Sequence, residues 1–329
     1  MNAPAPTLGV GVVWAERRDR VWLRVTGRDP ARVLQGLLTN DVRQVNRVRA
    51  VCALVLTPKG RPVADVRLWP PRDGLWSIDV HTAARQALSD HLGRYVPPRL
   101  AQWRIDDDER LLAVAGPNAA TLLRAMGVDP PPVEELDAIA ESGDVAVVAS
   151  DALGLPGYDV RLPAVRAREW VDRLRQVTAE LDAETIERFQ IAGGIPRYGA
   201  EWTERVLPAE VLEPTRATDR WISFQKGCYT GQEVVVRVAH RGHVNRWLRG
   251  LRAATTDAPA PGAEVHTESG KVVGWITRAA IAPWGGEVLA LAMVRRELEP
   301  GTKLRIGEAE ATLEPLPFPA WASWRRTAS

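Results

Sequence analysis

The sequence predicts an α+β protein of two or three domains that ends in a small antiparallel β-barrel. Three observations carry this reading. At 329 residues the chain exceeds what one ordinary core accommodates. Up to about residue 245, strand and helix patterns are interspersed without the strict βαβ rhythm of a doubly wound sheet. Beyond Arg246, short β-like runs are punctuated by Pro261-Gly262, Ser269-Gly270, Gly285-Gly286 and Pro300-Gly301, the spacing of a small barrel. The expected division is two α+β regions, 1–98 and 99–245, followed by the barrel, 246–329.

Val21-Trp22-Leu23-Arg24-Val25 alternates apolar with polar residues and stops at Gly27, which marks a strand. Asp29 suits an N-cap and Pro30 a first helical turn. Val33, Leu34, Leu37 and Leu38 then recur at helical spacing until Thr39-Asn40-Asp41 ends the pattern. Strands are expected over 52–56, 63–69 and 76–80, joined at Pro58-Lys59-Gly60 and Arg72-Asp73-Gly74, and a helix over 82–95. A second set follows, with strands over 103–106 and 111–115 and a helix capped by Gly116-Pro117-Asn118 that runs to Met126. Pro130-Pro131-Pro132 is a rigid spacer. Strands over 145–149 and 158–162 precede a helix over 164–181 and another that Asp182 caps and Gly193-Gly194 stops. Val234-Val235-Val236 reads as the start of a strand. In the barrel, strands are expected over 248–251, 272–276, 288–294, 304–306 and 311–313. Trp69, Trp76 and Trp103 lie in strand patterns and read as core.

Composition bounds the function. Hydrophobic residues at 45% and charged residues at 26% match soluble globular usage, and no apolar run is long enough to cross a bilayer. Met1-Asn2-Ala3-Pro4-Ala5-Pro6 has neither the basic start nor the apolar segment of a secretory signal. Cys52 and Cys228 supply no disulfide framework, and the chain is expected in a reducing cytoplasm, as a monomer. A net charge of +2, with no aromatic-basic RNA signature, argues against direct nucleic-acid binding. Lysine occurs only as Lys59, Lys226, Lys271 and Lys303; the first two stand in glycine loops, where a compact ammonium is wanted.

The most chemically loaded stretch is Lys226-Gly227-Cys228-Tyr229-Thr230-Gly231-Gln232-Glu233. Two glycines predict a tight loop presenting Cys228, and an adjacent ammonium favours its thiolate, the form that attacks. The alternative is a small buried hydrophobe in a turn. Asp65 is either a carboxylate serving a buried ligand or an outward-facing strand residue, since Val63, Asp65 and Arg67 share one face. Asn40 and Asp41 either face a cavity or end a helix. After Gly193-Gly194-Ile195-Pro196, Tyr198 can stack on a flat ring and Arg197 can pair with a carboxylate. Glu184 and Glu187 on the preceding helix read as solvated. Arg237, His240, Arg241, His243, Arg246 and Arg249 form a basic stretch. Their histidines with Cys228 match no zinc spacing, and no metal is expected.

Four segments together resemble one family: Gly27 to Val42, Thr57-Pro58-Lys59-Gly60-Arg61-Pro62-Val63-Ala64-Asp65, Ala192 to Gly199, and the Cys228 octet. They are similar to YgfZ-type folate-binding proteins, relatives of the glycine-cleavage T-protein, in the family's order and over most of the chain. The resemblance implies a three-domain ring of the aminomethyltransferase type that binds tetrahydrofolate in a central channel and helps to maintain iron–sulfur enzymes, including a tRNA-modifying one. In T-proteins the corresponding loop is not built around a cysteine, so Cys228 places the chain on the YgfZ side. Asp65 falls at or beside the T-protein's catalytic carboxylate, where those proteins carry an acidic pair and this chain has Ala64-Asp65. The expected reactive residues are Cys228 and Asp65, and the expected folate contacts Asn40, Asp41, Lys59, Asp65, Arg197, Tyr198, Lys226, Gln232 and Glu233. The alternative is a folate-dependent aminomethyltransferase with Asp65 as its acid–base group.

Overall fold

The computed structural model describes residues 11–327; the stretch Met1–Pro6 lies outside the described residues. In chain order the elements are β1 (Val13–Glu16), β2 (Arg20–Thr26), α1 (Pro30–Leu37), β3 (Val51–Leu56), β4 (Pro62–Arg72), β5 (Leu75–His81), α2 (Arg85–Tyr95), β6 (Gln102–Asp106), β7 (Glu109–Ala115) and α3 (Ala119–Ala125). There follow β8 (Ile139–Ser142), β9 (Val145–Ser150), β10 (Gly157–Pro163), α4 (Ala164–Val177), β11 (Ala179–Glu180), α5 (Ala183–Gly193), α6 (Pro208–Leu212), α7 (Thr218–Trp221) and α8 (Gln232–Arg241). The last part holds β12 (Arg246–Ala253), β13 (Glu264–Thr267), β14 (Val272–Ile281), β15 (Val288–Arg295), β16 (Lys303–Ile306), β17 (Ala309–Glu314) and α9 (Pro319–Thr327).

One antiparallel sheet runs β3-β4-β5-β2-β6, and a second sheet runs β11-β1-β7-β10-β9-β8, antiparallel except for the parallel β1–β11 pair. The sheets do not follow the chain in blocks. β6 lies beyond residue 98 yet pairs with β2, and β1 lies far before residue 99 yet pairs with β7 and β11. Leu23, Val25, Ile78 and Val80 of the first sheet pack under Leu34 and Leu37 of α1 and Leu88 and Leu92 of α2. Val147, Val160 and Leu162 of the second pack under Leu123 of α3 and Trp170 and Leu174 of α4. Each sheet is thus covered by helices outside and faces the other sheet inside, where Trp22, Trp69, Leu111, Ile139 and Val148 meet. The polar side of the alternation in β2 therefore turns inward: Arg24 is buried and pairs with Glu109 of β7.

The α+β class and the C-terminal barrel match the expectation; the barrel closes in the order β12-β15-β14-β13-β16-β17. Two elements differ. The helix expected to reach 181 ends at Val177, because Thr178 turns extended and hydrogen-bonds the Val12 carbonyl while Ala179 and Glu180 pair with β1. Val234 to Val236 lie in α8 rather than in a strand. Val234, Val235 and Val238 share a helical face and sit against Leu207, Ile222 and Phe224, so tertiary burial overrides the β-propensity of valine.

A β-bulge in β14 between Ile276 and Arg278 sets both Thr277 and Arg278 inward. There the Arg278 guanidinium pairs with the fully buried Glu201 at 3.0 Å and donates to the Ile195 carbonyl. Glu201 also accepts from Thr277 Oγ1 at 2.5 Å and from the Arg197 amide at 2.9 Å. The barrel thereby holds the loop that carries Arg197 and Tyr198. Glu201→Ala, which takes from the buried Arg278 its closest carboxylate and leaves only Glu187 at 3.4 Å, is expected to lower the unfolding free energy by about 3 kcal/mol, read by urea denaturation; a loss below about 1 kcal/mol would show that the pair does not hold the loop.

Candidate functional site

A cavity of about 280 Å³ opens where the two sheets, the end of α5 and the C-terminal segment meet. Its walls are unusually charged. From the first sheet come Arg20, Asp65, Arg67, Asp79 and His81, and from the second Asp159 and Ser150. Arg67 bridges the sheets, donating from Nε to Asp79 at 2.8 Å and from Nη1 to Asp159 at 2.7 Å. Arg17 reaches Asp159 at 3.4 Å, Ser150 Oγ donates to it at 2.9 Å, and Trp69 Nε1 donates to Asp79 at 2.7 Å. Burial alone pushes the Asp79 carboxyl up, but Arg67 and Arg20 outweigh it and hold the group at about 2.

Asp65 lies on the cavity side of β4, not on an outer face. Its Oδ2 pairs with Arg20 Nη1 at 2.5 Å, while its Oδ1 is buried with no hydrogen-bond partner among the described residues. A buried carboxylate oxygen left so is costly, and a ligand N–H is the natural partner for it. Beside it, His81 Nδ1 accepts from the Ala83 amide at 3.2 Å, which leaves Nε2 as the hydrogen-bonding edge of the neutral ring. Burial lowers the His81 pKa, with Asp65 opposing the shift. Tyr198 sits with its ring centroid 6.2 Å from that of His81, half-buried in the wall. The sequence points to Asp65, Arg197 and Tyr198, and all three line this cavity. Sequence reasoning missed Arg20, Arg67, Asp79, His81 and Asp159; the only signal was their place on alternating strands.

Arg197 is already engaged: its Nη1 pairs with Glu187 at 2.5 Å. Glu187, expected to be solvated, also reaches Arg278 at 3.4 Å. The remaining residues expected to contact a ligand lie elsewhere. Asn40 is buried, but its Nδ2 donates to the Cys52 and Arg220 carbonyls, and its Oδ1 accepts from the Asp41 amide. Asp41 caps the turn Val42–Gln44 through the Arg43 amide and is paired to the Arg43 guanidinium at 2.7 Å. Neither lines the cavity, because the end of α1 needs both side chains for its own turn. Lys226 Nζ donates to the Gln35, Leu38 and Asn40 carbonyls at 2.7, 2.6 and 2.9 Å, closing the C-terminal end of α1. Burial lowers its pKa to about 8. Its ammonium therefore anchors the loop to the end of α1.

Thr39 completes the clamp: its Oγ1 donates to the Trp221 carbonyl at 2.7 Å, and its own carbonyl accepts from the Ser223 amide at 3.0 Å. Thr230 N–H bonds Gly36, and Gly231 packs against the β3–β4 turn with φ of +83°, where a Cβ would meet the Thr57 carbonyl at 2.6 Å. Gly227 has open space around it and no such backbone demand. Held this way, Cys228 is exposed on the surface, outside the cavity, whereas Cys52 is buried with its Sγ 3.4 Å from Asp137, its pKa raised by burial. Gln232 and Glu233 form the first turn of α8, and Glu233 is exposed. Lys59 lies on a separate groove. The basic stretch does not converge: Arg237 and His240 are exposed on α8, while Arg246 and Arg249 stack on Trp275 and Trp247 at the barrel.

Two measurements follow from this geometry. A disulfide reagent such as DTNB is expected to react rapidly with one thiol of the native protein and with the second only on unfolding; Cys228→Ser should remove the fast phase, and a fast phase that survives would contradict the exposure. Asp79, held below its ordinary 3.8, contributes stability that is present above that value and lost as pH falls toward about 2. The unfolding free energy of the wild type should therefore decline over that window more steeply than that of Asp79→Asn; equal slopes would remove Asp79 from the network.

The comparisons with known proteins agree with this architecture. The family model described as the GCVT N-terminal domain matches residues 19–212. The tRNA-modifying protein YgfZ of Escherichia coli O127:H6 (strain E2348/69 / EPEC) is 26% identical over 308 residues, covering 89% of this chain and 89% of that protein. The tRNA-modifying protein YgfZ of Yersinia enterocolitica serotype O:8 is 26% identical over 310 residues, covering 91% and 90%. The glycine cleavage system aminomethyltransferase T of Bartonella henselae superposes with a TM-score of 0.77 at 18% identity, over 94% of this chain and 86% of that one; this similarity is one of fold.

Proposed function

Because the chain belongs to the family of the GCVT N-terminal domain, as a YgfZ-type protein related to the glycine-cleavage aminomethyltransferase, we propose that it is a tetrahydrofolate-binding accessory protein supporting the assembly or repair of iron–sulfur enzymes, a tRNA-modifying one among them. The observation that carries the folate part is Asp65 Oδ1, a buried acceptor without a partner in the wall of a polar cavity. A pterin offers N–H donors on a flat ring, and the cavity offers this acceptor, the Nε2 edge of His81 and the Tyr198 ring. The volume of about 280 Å³ lies just below the usual range of small-molecule sites, about 300–1,000 Å³. It suits a bicyclic head better than a whole folate.

The partner-facing part of the reading rests on Cys228. Its thiol is exposed, and the segment that carries it is pinned to α1 by Lys226 and Thr39. The same segment lines the cavity through Arg220 and Trp221, so ligand site and thiol share one stretch of backbone. A surface thiol on a fixed loop is suited to contact with a partner protein rather than with a ligand enclosed in the cavity.

A second reading, a folate-dependent aminomethyltransferase, draws support from one observation. Ala64, where T-proteins carry the other member of an acidic pair, faces the apolar layer under α1 and α2, while Asp65 faces the cavity. The departure from the pair therefore leaves the cavity carboxylate in place.

Titration of the purified protein with tetrahydrofolate tests the first reading. Binding is expected in the wild type and in Cys228→Ala, and Asp65→Asn should bind about ten-fold or more weakly, the loss of one hydrogen bond to a charged acceptor. Absence of binding by the wild type would overturn the folate assignment. In cells lacking the protein, Cys228→Ala should fail to restore iron–sulfur enzyme activity; full rescue would remove the thiol from the account. Aminomethyl transfer that persists in Cys228→Ala and vanishes in Asp65→Asn would favour the second reading.

A further inference from the structure

The C-terminal barrel has one end at which its inner wall carries a cation. Trp247 of β12 stands in one row with Val294 and Gly274, and Arg249 in one row with Ala292 and Ile276. Ile276, Ala292 and Val294 face the barrel core, so Trp247 and Arg249 lie on the inner face as well. Gly274 adds no side chain to its row, which balances the large indole. On its other side β12 pairs with β17 over Gly250–Ala253 alone, so Trp247 and Arg249 project past the end of β17, at the barrel mouth. Both are half-buried, and the Arg249 guanidinium lies 4.6 Å from the centre of the Trp247 ring. Two N–H groups, Arg249 Nε and Trp247 Nε1, are buried there with no acceptor among the described residues. Arg249 stands in no ion pair among those residues either. Of the acids near the mouth, Glu297 pairs with Arg295 at 3.5 Å, and the exposed Glu299 acts on Arg249 through its field alone. Arg246, whose Nε also lacks an acceptor, faces the other way, over Trp275.

We propose that the barrel mouth is an oxyanion site, in which a carboxylate or phosphate group accepts from the Arg249 guanidinium and from Trp247 Nε1. Neither residue lines the central cavity, and the site stands independently of the folate reading. A buried N–H without an acceptor is costly, and two of them side by side call for the same kind of partner. A water molecule satisfies both donors but leaves the half-buried cation without a counter-charge. An oxyanion supplies the acceptor and the charge together. Burial lowers the pKa of Arg249, the mark of a charge held away from water with no partner at hand. The planar fork of arginine matches the paired oxygens of a carboxylate or phosphate, and stacking on the indole fixes the plane of that fork.

The test follows the indole N–H resonances of the isotopically labelled full chain while inorganic phosphate or acetate is added at constant ionic strength. Trp247→Phe, which keeps an aromatic ring and removes the donor, identifies the Trp247 resonance among those of the 13 tryptophans. In the wild type that resonance is expected to shift and saturate with at least one of the two anions. Saturation with phosphate alone assigns a phosphoryl ligand, with acetate alone a carboxylate, and with both a site open to either. Arg249→Met should bind about ten-fold or more weakly, the loss of a charge-assisted hydrogen bond. Arg249→Lys, which keeps the charge without the fork, should fall between the two. The remaining indole resonances report whether each variant is folded. A Trp247 resonance that neither anion moves, or an affinity that Arg249→Met and Arg249→Lys leave unchanged, would overturn the inference.

Discussion

The architecture depends on a buried chain of guanidinium and carboxylate groups between the two sheets, with Arg67 held between Asp79 of its own sheet and Asp159 of the other. Removing such charges from water is expensive, and attraction offsets the cost only where geometry is good and the remaining polar atoms are satisfied. Here Trp69, Ser150, Arg17 and Arg20 supply those further contacts. The cationic side chains also lie over aromatic rings, Arg67 over Trp69 at 5.0 Å and Arg161 over Trp22 at 5.1 Å. Two sheets joined by charges cannot close into a dry sandwich. They leave a polar hollow at their edge, and α5 and the C-terminal segment roof it.

The same logic separates the interior from the surface. Asp65 and His81 belong to the hollow, and the barrel positions Tyr198 beside them through Arg278 and Glu201. Cys228 belongs to the exterior, on a loop tied by Lys226 to three carbonyls at the end of α1. The Thr39-Asn40 pair that terminates α1 is therefore a fastener between the first region and the Cys228 loop. That explains why polar residues are buried there without touching the cavity.

Much of the fold was legible. Period-two alternation located β2 to β5, and Asp29-Pro30 and Asp182 marked helix starts that the structure confirms, with both side chains accepting from the backbone. Turn residues marked out most of the barrel. What failed is instructive. Three successive valines predicted a strand where burial against α6 and the preceding loop makes a helix. Short strands such as β1, β8 and β13 carry too few residues for a pattern, and pairing across the sheets is a long-range choice that local sequence does not encode. For the site, motif chemistry pointed to Asp65, Arg197 and Tyr198, which line the cavity, and to Cys228, which is exposed. Asn40, Asp41, Lys59, Lys226, Gln232 and Glu233, named with them, lie outside the cavity's lining, because a motif shows which residues act together and not which cavity they face. The buried arginine network was hidden because polar residues alternating on a strand read as solvent-facing until a second sheet covers them.

The most direct measurement is a crystal structure of the full chain with tetrahydrofolate. The account predicts the pterin inside the cavity, with a ring N–H about 2.7–3.2 Å from Asp65 Oδ1 and its flat face toward Tyr198. A pterin bound on the outer face beside Cys228, with Asp65 Oδ1 still without a partner, would contradict it.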